Sequence, residues 1–369
     1  MQIFEKKYSG YRPLYPIDGF CAQDKALFID IETTGLKKET TTLYLIGLGY
    51  YTDDGFNTKL LFAGSPDEEK ELILRFRDEL NDFTHLFHFN GTGFDIPYLQ
   101  YKSDLYDIGD LFEHMTQIDI YKLCKPLRYL LFPDSMRQKA IEDFLCIERD
   151  DRFNGGELID VYKEYTIHPT DEDLNKLITH NLEDVLGMHL IMPILYYLDF
   201  KDAPLTFEDY MTNKYTDYNG DEKEEIILSY STPLSFPRSF TAKTESMYLK
   251  ASSEDKKISI RLPIYTDDMK VFFDNYKDYF YIPDEDTAIL RSLGISLAKG
   301  SYVKATKENC YQKVSGKFIK QPCDIFRPVV RSSYKDKKKY FRFPDCFKKE
   351  AADEFGRELI NVFFTVKRR

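Results

Sequence analysis

Residues 28–36 of this chain read FIDIETTGL. Side chains alternate between the two faces of a β-strand, so a strand here projects Asp30 and Glu32 from the same face. The intervening Ile29 and Ile31 point the other way, into a core. Two neighbouring carboxylates repel each other, and burying both is costly unless a cation lies between them. Two acids at the end of a strand, with no other evidence, more often face water. Whether this pair forms a metal site therefore depends on other parts of the sequence.

A second stretch, residues 89–99, reads FNGTGFDIPYL and directly follows a predicted strand at residues 84–89. It places Asn90 and Phe94 ahead of a third acid, Asp95. Taken alone, the stretch is equally typical of an Asx-type turn that leads into a helix.

A third stretch, residues 179–187, reads THNLEDVLG and lies on a long predicted helix that begins at Thr170 and runs to about residue 198. His180 and Asp184 are one helical turn apart and point the same way, on one flank of an apolar stripe. Gly187 falls on the same side, and we expect it to let another backbone approach closely. A lone His and Asp at this spacing would more often form a surface ion pair.

The order of predicted elements favours an α/β fold. Three strands (26–31, 43–50 and 57–63) precede a helix whose start is marked by Ser65-Pro66, and two further strands follow at 84–89 and 116–120. Helices follow residue 135 and span 157–165, before the long closing helix. This pattern predicts a mixed five-stranded sheet flanked by helices. Beyond residue 205, alternating patterns at 239–249, 258–264 and 303–313 predict a smaller β-rich α+β domain with a helix at 348–362.

Length and composition are consistent with two folded domains, which we place at residues 1–204 and 205–369. The chain has 369 residues, of which 43% are hydrophobic and 31% charged. Its six cysteines are scattered singly, which argues against a structural zinc site and a disulfide framework. No signal-peptide pattern or membrane-spanning apolar run is found, so we expect a cytoplasmic protein without membrane association.

The charge is distributed unevenly along the chain. The net charge is −11, but residues 301–369 contain 18 Lys and Arg against 8 Asp and Glu, a net charge of +10. A polyanion is therefore expected to bind the C-terminal tail more readily than the acidic remainder. The tail also permits a second interpretation, in which the C-terminal domain docks an acidic protein partner. A third is that the lysines only decorate an exposed loop.

Together, the three acidic stretches resemble the DEDD superfamily of 3′–5′ exonucleases, which have the ribonuclease H fold. The second stretch is similar to the proofreading domains of family B DNA polymerases. Residues 135–191, with an R-x-D and Gly-Gly pattern at Arg149–Asp151 and Gly155-Gly156, look like the predicted single-strand exonucleases of the YprB type. The resemblance covers about residues 20–198 and implies a ribonuclease H-like domain; residues 205–369 resemble no family that we recognise.

The resemblance implies a cofactor of two Mg²⁺ or Mn²⁺ ions, which suit carboxylate ligands. Asp30 would bridge both ions, Glu32 and Asp184 would hold the ion that carries the attacking water, and Asp95 would hold the leaving-group ion. His180 would orient or deprotonate the water. It lies four residues before Asp184, the spacing of the Tyr-type branch, whereas the His-type branch places its His five residues before.

The same resemblance implies a single-stranded DNA or RNA substrate. Four residues after the first acids would contact the terminal nucleotide: Thr33, Thr34, Gly35 and Leu36. Asn90 and Phe94 match positions that touch single-stranded substrate in the proofreading domains. A basic and aromatic set is also a candidate for backbone binding and base stacking; it comprises Lys122, Lys125, Arg128, Arg137, Lys139, Arg149, Arg152, Tyr121, Tyr129 and Phe132.

Two readings of function follow. The leading one is a metal-dependent 3′–5′ exonuclease, and the alternative is a ribonuclease H-fold module that binds nucleic acid with little or no cutting of its own. The sequence contains no motif that distinguishes RNA from DNA. Asp119, at the end of the fifth predicted strand, is as consistent with a supporting role at the site as with a purely structural one.

Overall fold

The computed structural model of the protein describes residues 1–131, 135–151, 153, 155–294, 298 and 300–365. The chain divides into two compact units. The first contains Met1–Arg128 and the later chain up to Leu198, and the second contains Tyr129–Leu131 and the chain from Asp199 onward.

The first unit is built on a mixed six-stranded sheet with the strand order β1-β4-β3-β2-β5-β6. The strands β1 to β4 pair antiparallel, whereas β2–β5 and β5–β6 pair parallel. The strands are β1 (Gln2–Ser9), β2 (Ala26–Thr33), β3 (Leu43–Thr52), β4 (Gly55–Phe62), β5 (His85–His88) and β6 (Thr116–Asp119). All five predicted strands are present, and the predicted mixed α/β sheet is confirmed.

The additional strand is β1, which the sequence analysis did not predict. It pairs along its whole length with β4, from Gln2 opposite Phe62 to Ser9 opposite Gly55. Most of its side chains are exposed, so it has no buried apolar face to produce a hydrophobic pattern. Charged, exposed residues are typical of a strand at the edge of a sheet.

Helices flank this sheet, and those predicted from the sequence occur in the predicted order, whereas α3 was not predicted. They are α1 (Glu69–Leu80), α2 (Asp95–Leu105), α3 (Ile120–Cys124), α4 (Gln138–Leu145), α5 (Gly155–Ile167), α6 (Asp171–Ile191) and α7 (Leu195–Asp199). The long closing helix is shorter than predicted, because a 3₁₀ turn at Met192–Ile194 separates α6 from α7. Pro193 lies in that turn and cannot donate the backbone hydrogen bond that would continue the α-helix.

Helix α6 packs closely on β3, because two glycines on the same face of that strand leave room for it. A Cβ atom at Gly47 would lie 2.0 Å from Asn181 Oδ1, and one at Gly49 would lie 2.7 Å from Val185 Cγ1. Both distances are far below an ordinary contact. The Gly-x-Gly pattern of β3 therefore sets how near α6 comes to the neighbouring strand β2, which carries the first two acids.

The second unit is β-rich, as predicted; its described residues form two antiparallel sheets of eight and three strands and a C-terminal α-helix. The long strand β11 pairs with β8, β10, β15 and β16. The elements are β7 (Thr206–Thr216), β8 (Glu222–Ser231), β9 (Phe240–Lys243), β10 (Tyr248–Ala251), β11 (Lys257–Phe272), β12 (Tyr279–Ile282), β13 (Thr287–Leu290), β14 (Val303–Lys304), β15 (Tyr311–Gln321), β16 (Val330–Arg331), β17 (Lys339–Phe343) and α8 (Ala352–Thr365).

Several basic residues of the C-terminal unit are paired with carboxylates. Lys313 Nζ lies 2.6 Å from Asp286 Oδ2, Lys317 Nζ lies 2.7 Å from Glu224 Oε2, and Lys339 Nζ lies 2.6 Å from Asp324 Oδ1. Part of the positive charge of residues 301–369 is therefore compensated locally. Binding of a polyanion or a protein partner there stays a prediction.

Within the described residues, no helix combines the length and the apolar character that crossing a bilayer requires.

The close packing of α6 on β3 makes a stability prediction. Gly47→Ala should lower the free energy of unfolding by about 1–3 kcal/mol, because the new methyl group overlaps Asn181 and Val185. The control is Gly19→Ala, where a Cβ meets nothing within 4 Å, and its effect should stay below about 0.5 kcal/mol. Urea unfolding followed by circular dichroism measures both. Equal stability of the two variants would contradict the tight packing.

Candidate metal centre

Strand β2 places the first two acids beside the centre of the sheet. Asp30 lies opposite Gly47 of β3, and Glu32 lies opposite Leu45. Ile29 and Ile31 belong to the hydrophobic core on the other face, so the alternation expected from the sequence is present. Glu32 is only 8% exposed, so the pair does not form a strand end that faces water.

Asp95 is brought to β2 by the turn that precedes α2. Asn90 adopts a left-handed conformation (φ 62°), and residues 91–93 form a 3₁₀ turn. Asp119 at the end of β6 holds this turn, because its carboxylate accepts hydrogen bonds from Asn90 N (3.0 Å) and Thr92 Oγ1 (2.8 Å). The backbone of Ile31 lies near enough to Asp95 to lower the pKa of its carboxyl group. Asp119 therefore supports the loop that positions Asp95.

Helix α6 completes the site from above β2 and β3. Asn181 is fully buried and donates a 2.8 Å hydrogen bond from Nδ2 to Asp30 Oδ2. His180 Nε2 lies 3.7 Å from Glu32 Oε1 and 3.5 Å from Asp184 Oδ2. Among the described residues, one group has ligand atoms close enough to share a metal ion, within 4.8 Å of one another: Glu32, His180 and Asp184. Asp30 and Asp95 are not part of that trio.

The acids nevertheless share one electrostatic field. Burial raises the pKa of Asp30 and of Glu32 well above their usual values, and the negative charges of Asp184 and Asp95 raise both further. Burial, with smaller effects from Asp119 and Asp184, raises the pKa of Asp95 to about 7. Asp184 thus lies near enough to the other three predicted acids to disfavour their ionisation. This is the arrangement that a divalent cation stabilises.

An arginine that the sequence analysis assigned to substrate binding lies inside this cluster. The Arg149 side chain is only 11% exposed, and its Nη1 lies 2.7 Å from Asp184 Oδ1 and 3.2 Å from Glu142 Oε2. Its Nε lies 3.3 Å from Glu183 Oε2. Arg149 is therefore enclosed by carboxylates and leaves Asp184 Oδ2 facing His180.

Glu183 fixes the segment that carries Arg149. Its two carboxylate oxygens accept hydrogen bonds from the backbone N–H groups of Asp150 and Asp151, both at 3.0 Å. Asp151 in turn lies against the site helix, with Oδ2 2.7 Å from His180 Nδ1. The segment between α4 and α5 is thus tied to the same turn of α6 that bears His180 and Asp184.

Gly187 has a different neighbour from the one predicted. The groups that approach it are the side chains of α4, and a Cβ at Gly187 would lie 2.3 Å from Glu142 Oε1 and 2.7 Å from Gln138 Nε2. The expectation of a second backbone at this position is wrong. The glycine makes room for Glu142, which is buried and holds Arg149.

The loop after β2 is ordered by its own hydroxyl groups. Thr33 Oγ1 donates a 2.8 Å hydrogen bond to Gly35 O, and Thr34 Oγ1 accepts one of 2.8 Å from Thr42 N. Leu36 is 84% exposed at the tip of this loop. The loop therefore presents an apolar side chain to solvent beside the acids.

The other residues predicted to bind substrate differ from one another in their surroundings. The Phe94 ring packs 5.5 Å from that of Tyr98 and against the core, whereas Asn90 stands at the turn described above. Lys122 Nζ lies 3.8 Å from Asp119 Oδ2. Phe132 and Arg152 of the basic and aromatic set lie outside the described residues, and the binding roles stay predictions.

Three supporting residues were not singled out from the sequence, namely Asn181, Glu142 and Glu183. Asn181 belongs to the N-x-x-D-V pattern at residues 181–185 that resembles the YprB type, but no role at the site was predicted for it, although its polarity next to an apolar stripe was a usable signal. Glu142 and Glu183 support the site by binding Arg149. These positions are far apart in the sequence, so no spacing pattern could have linked them.

Comparison with known proteins gives the class of the first unit. Residues 27–196 match the model of the RNase_H_2 family, described as RNase_H superfamily. The mixed sheet and its flanking helices therefore form a ribonuclease H-like domain, as the sequence resemblance implied. Such a domain with a cluster of acids favours a nuclease-type hydrolase, and the more specific likeness to the YprB type stays a prediction.

One solved structure to which the chain is similar is a family B DNA polymerase from the hyperthermophilic archaeon Pyrobaculum calidifontis. The sequence identity is 13% and the TM-score is 0.38. The similarity covers 69% of this chain and 35% of the polymerase chain, so the protein spans about a third of that polymerase's length. No curated protein matches the sequence.

The raised pKa of Asp95 predicts a pH-dependent stability in the absence of divalent ions. Its pKa rises from 3.8 to about 7 on folding, so between these pH values the unfolded chain releases a proton that the folded protein keeps. Stability must then fall as the pH rises. Asp95→Asn removes this effect and should stabilise the metal-free protein by roughly 2–4 kcal/mol at pH 8, with a difference that shrinks towards pH 4.

Urea unfolding in EDTA at several pH values measures this difference. The control variant is Asp53→Asn, which alters an exposed acid and should change the stability by less than about 0.5 kcal/mol. A stability gain for Asp95→Asn that is the same at every pH would contradict the assignment.

Proposed function

We propose that this protein is a metal-dependent 3′–5′ exonuclease that hydrolyses phosphodiester bonds of single-stranded nucleic acid, with residues 1–204 as the nuclease domain. The observation that carries the proposal is that Glu32, His180 and Asp184 offer ligand atoms within 4.8 Å of one another, and that the charge of Asp184 also acts on Asp30 and Asp95. Acids from three separate elements of a ribonuclease H-like domain thus interact electrostatically at one site. The ribonuclease H superfamily match supports the nuclease class, and the 3′–5′ direction comes from the sequence motifs.

The donor set fits divalent cations with a preference for oxygen ligands. We assign Asp30 to both of two Mg²⁺ or Mn²⁺ ions, Glu32 and Asp184 to one, and Asp95 to the other. When bound, such an ion pair activates a water molecule and stabilises the charge that develops on the phosphate.

The chain's own residues prepare the site for this chemistry. Asn181 fixes one oxygen of Asp30 through its 2.8 Å hydrogen bond, which leaves the other oxygen for ligation. Arg149 occupies Asp184 Oδ1 and partly neutralises the cluster before metal binds. In our proposal, the exposed Leu36 and the backbone of residues 33–36 contact the terminal nucleotide, with Asn90 and Phe94 on the next element.

A direct assay uses oligonucleotides labelled at the 5′ end, as DNA and as RNA, with Mg²⁺, with Mn²⁺ or with EDTA. The proposal predicts a ladder of products that shorten stepwise from the 3′ end with metal and intact substrate with EDTA. Release of the 5′ nucleotide first would contradict the direction. The comparison of DNA with RNA identifies the preferred substrate.

Loss of a single acid should abolish the reaction. Asp30→Asn and Asp184→Asn should each reduce the metal-dependent rate by at least about a hundredfold, because the charge that holds the cation and stabilises the transition state is removed. Circular dichroism and thermal melting report whether each variant is folded. Asp53→Asn, on an exposed turn, should retain the wild-type rate. A folded Asp30 or Asp184 variant with most of its activity would contradict the proposal.

The ion pair between Arg149 and Asp184 is the observation that favours the alternative, a module that binds nucleic acid without cutting it. An internal cation on a ligand carboxylate competes with metal binding. Under this alternative, single-stranded oligonucleotides would bind in EDTA and remain intact when Mg²⁺ or Mn²⁺ is added.

A further inference from the structure

Asp151 is held in one orientation beside the candidate metal centre. Its side chain is 3% exposed, its Oδ1 accepts a 3.0 Å hydrogen bond from Phe153 N, and its backbone N–H is bound to Glu183. The remaining oxygen, Oδ2, lies 2.7 Å from His180 Nδ1. Both the carboxylate and the imidazole ring that it contacts are therefore fixed.

This contact determines which nitrogen of His180 carries the proton. A carboxylate can only accept, so Nδ1 donates its proton to Asp151 and the lone pair of a neutral ring lies on Nε2. Nε2 is 3.5 Å from Asp184 Oδ2 and 3.7 Å from Glu32 Oε1, distances at or beyond the limit of a hydrogen bond. One nitrogen lone pair and two carboxylate oxygens thus face one another.

We propose that Asp151 is a positioning residue that presents His180 Nε2 as a nitrogen ligand to the divalent ion held by Glu32 and Asp184. A metal-bound histidine typically donates its other ring N–H to a carboxylate, which fixes the ring and makes the ligand nitrogen more basic. The inference rests on the proposed metal site, and it changes the expected role of His180 from action on water to direct ligation.

This ligand set has a consequence for the choice of metal. Mg²⁺ is bound almost entirely through oxygen, whereas imidazole nitrogen is a good ligand for transition metals. The position shared by Glu32, His180 and Asp184 therefore binds Mn²⁺ in preference to Mg²⁺. His180 should contribute to the affinity for Mn²⁺ and little to the affinity for Mg²⁺.

Pulsed electron paramagnetic resonance of the full chain with Mn²⁺ tests the ligation without reference to activity. Wild-type protein should show the modulation of a directly coordinated ¹⁴N nucleus. His180→Gln should lose that signal, whereas His168→Gln, which alters an exposed histidine, should keep it. Mn²⁺ bound to wild-type protein without a nitrogen signal would overturn the ligation and leave the nuclease proposal standing.

Titration calorimetry with Mn²⁺ tests the role of Asp151. Asp151→Ala should weaken Mn²⁺ binding by about 10- to 100-fold, and the neighbouring exposed acid gives the matched control Asp150→Ala, which should bind as wild type. Asp151→Asn keeps an oxygen that accepts the Nδ1 proton, so it should restore most of the affinity and the nitrogen signal.

Different outcomes of these experiments test the role of Asp151 and the proposed function separately. Equal Mn²⁺ affinity for Asp151→Ala and Asp150→Ala would overturn the positioning role. If Asp151→Ala fails to fold, Asp151→Asn and His180→Gln serve as the test variants. A nitrogen signal that survives in His180→Gln would contradict the assignment of His180 as a metal ligand. Wild-type protein that binds neither Mn²⁺ nor Mg²⁺ would contradict the proposed function itself.

Discussion

Mutual repulsion among buried carboxylates is the constraint on which the rest of this site depends. Asp30, Glu32 and Asp95 each resist ionisation because they are buried and because Asp184 lies near. Folding has to hold these groups together against that repulsion. It does so through the close fit of α6 over the glycines of β3, together with the hydrogen bonds from Asn90 N and Thr92 Oγ1 to Asp119 that hold the turn before Asp95.

Two polar side chains beside the acids reduce the cost of burying their negative charge. Arg149 supplies a fixed positive charge at Asp184, and the neutral amide of Asn181 binds Asp30. Arg149 contacts Asp184 Oδ1, whereas Asp184 Oδ2 faces His180. The ligand atoms of Glu32, His180 and Asp184 therefore still lie close enough together to share a cation. An unpaired buried charge costs several kcal/mol, and this partial compensation reduces that cost in the metal-free chain.

Local periodicity predicted the parts of the fold and site that depend on neighbours in sequence. Alternation on β2 placed Asp30 with Glu32, and the helical turn placed His180 with Asp184. The contacts of Arg149 with Glu142, Glu183 and Asp184 could not be predicted, because they join segments that no spacing relates. Strand β1 was missed because an exposed edge strand has no apolar pattern, and Gly187 faces side chains of α4 that only tertiary packing could reveal.

The most direct test of the central claim is a crystal structure of the protein soaked with Mn²⁺, with the metal located by anomalous scattering. The account predicts manganese between Glu32, His180 and Asp184, with Asp30 as a further ligand of the same cluster. Anomalous peaks elsewhere on the protein, with these side chains still paired only with Arg149 and each other, would contradict it.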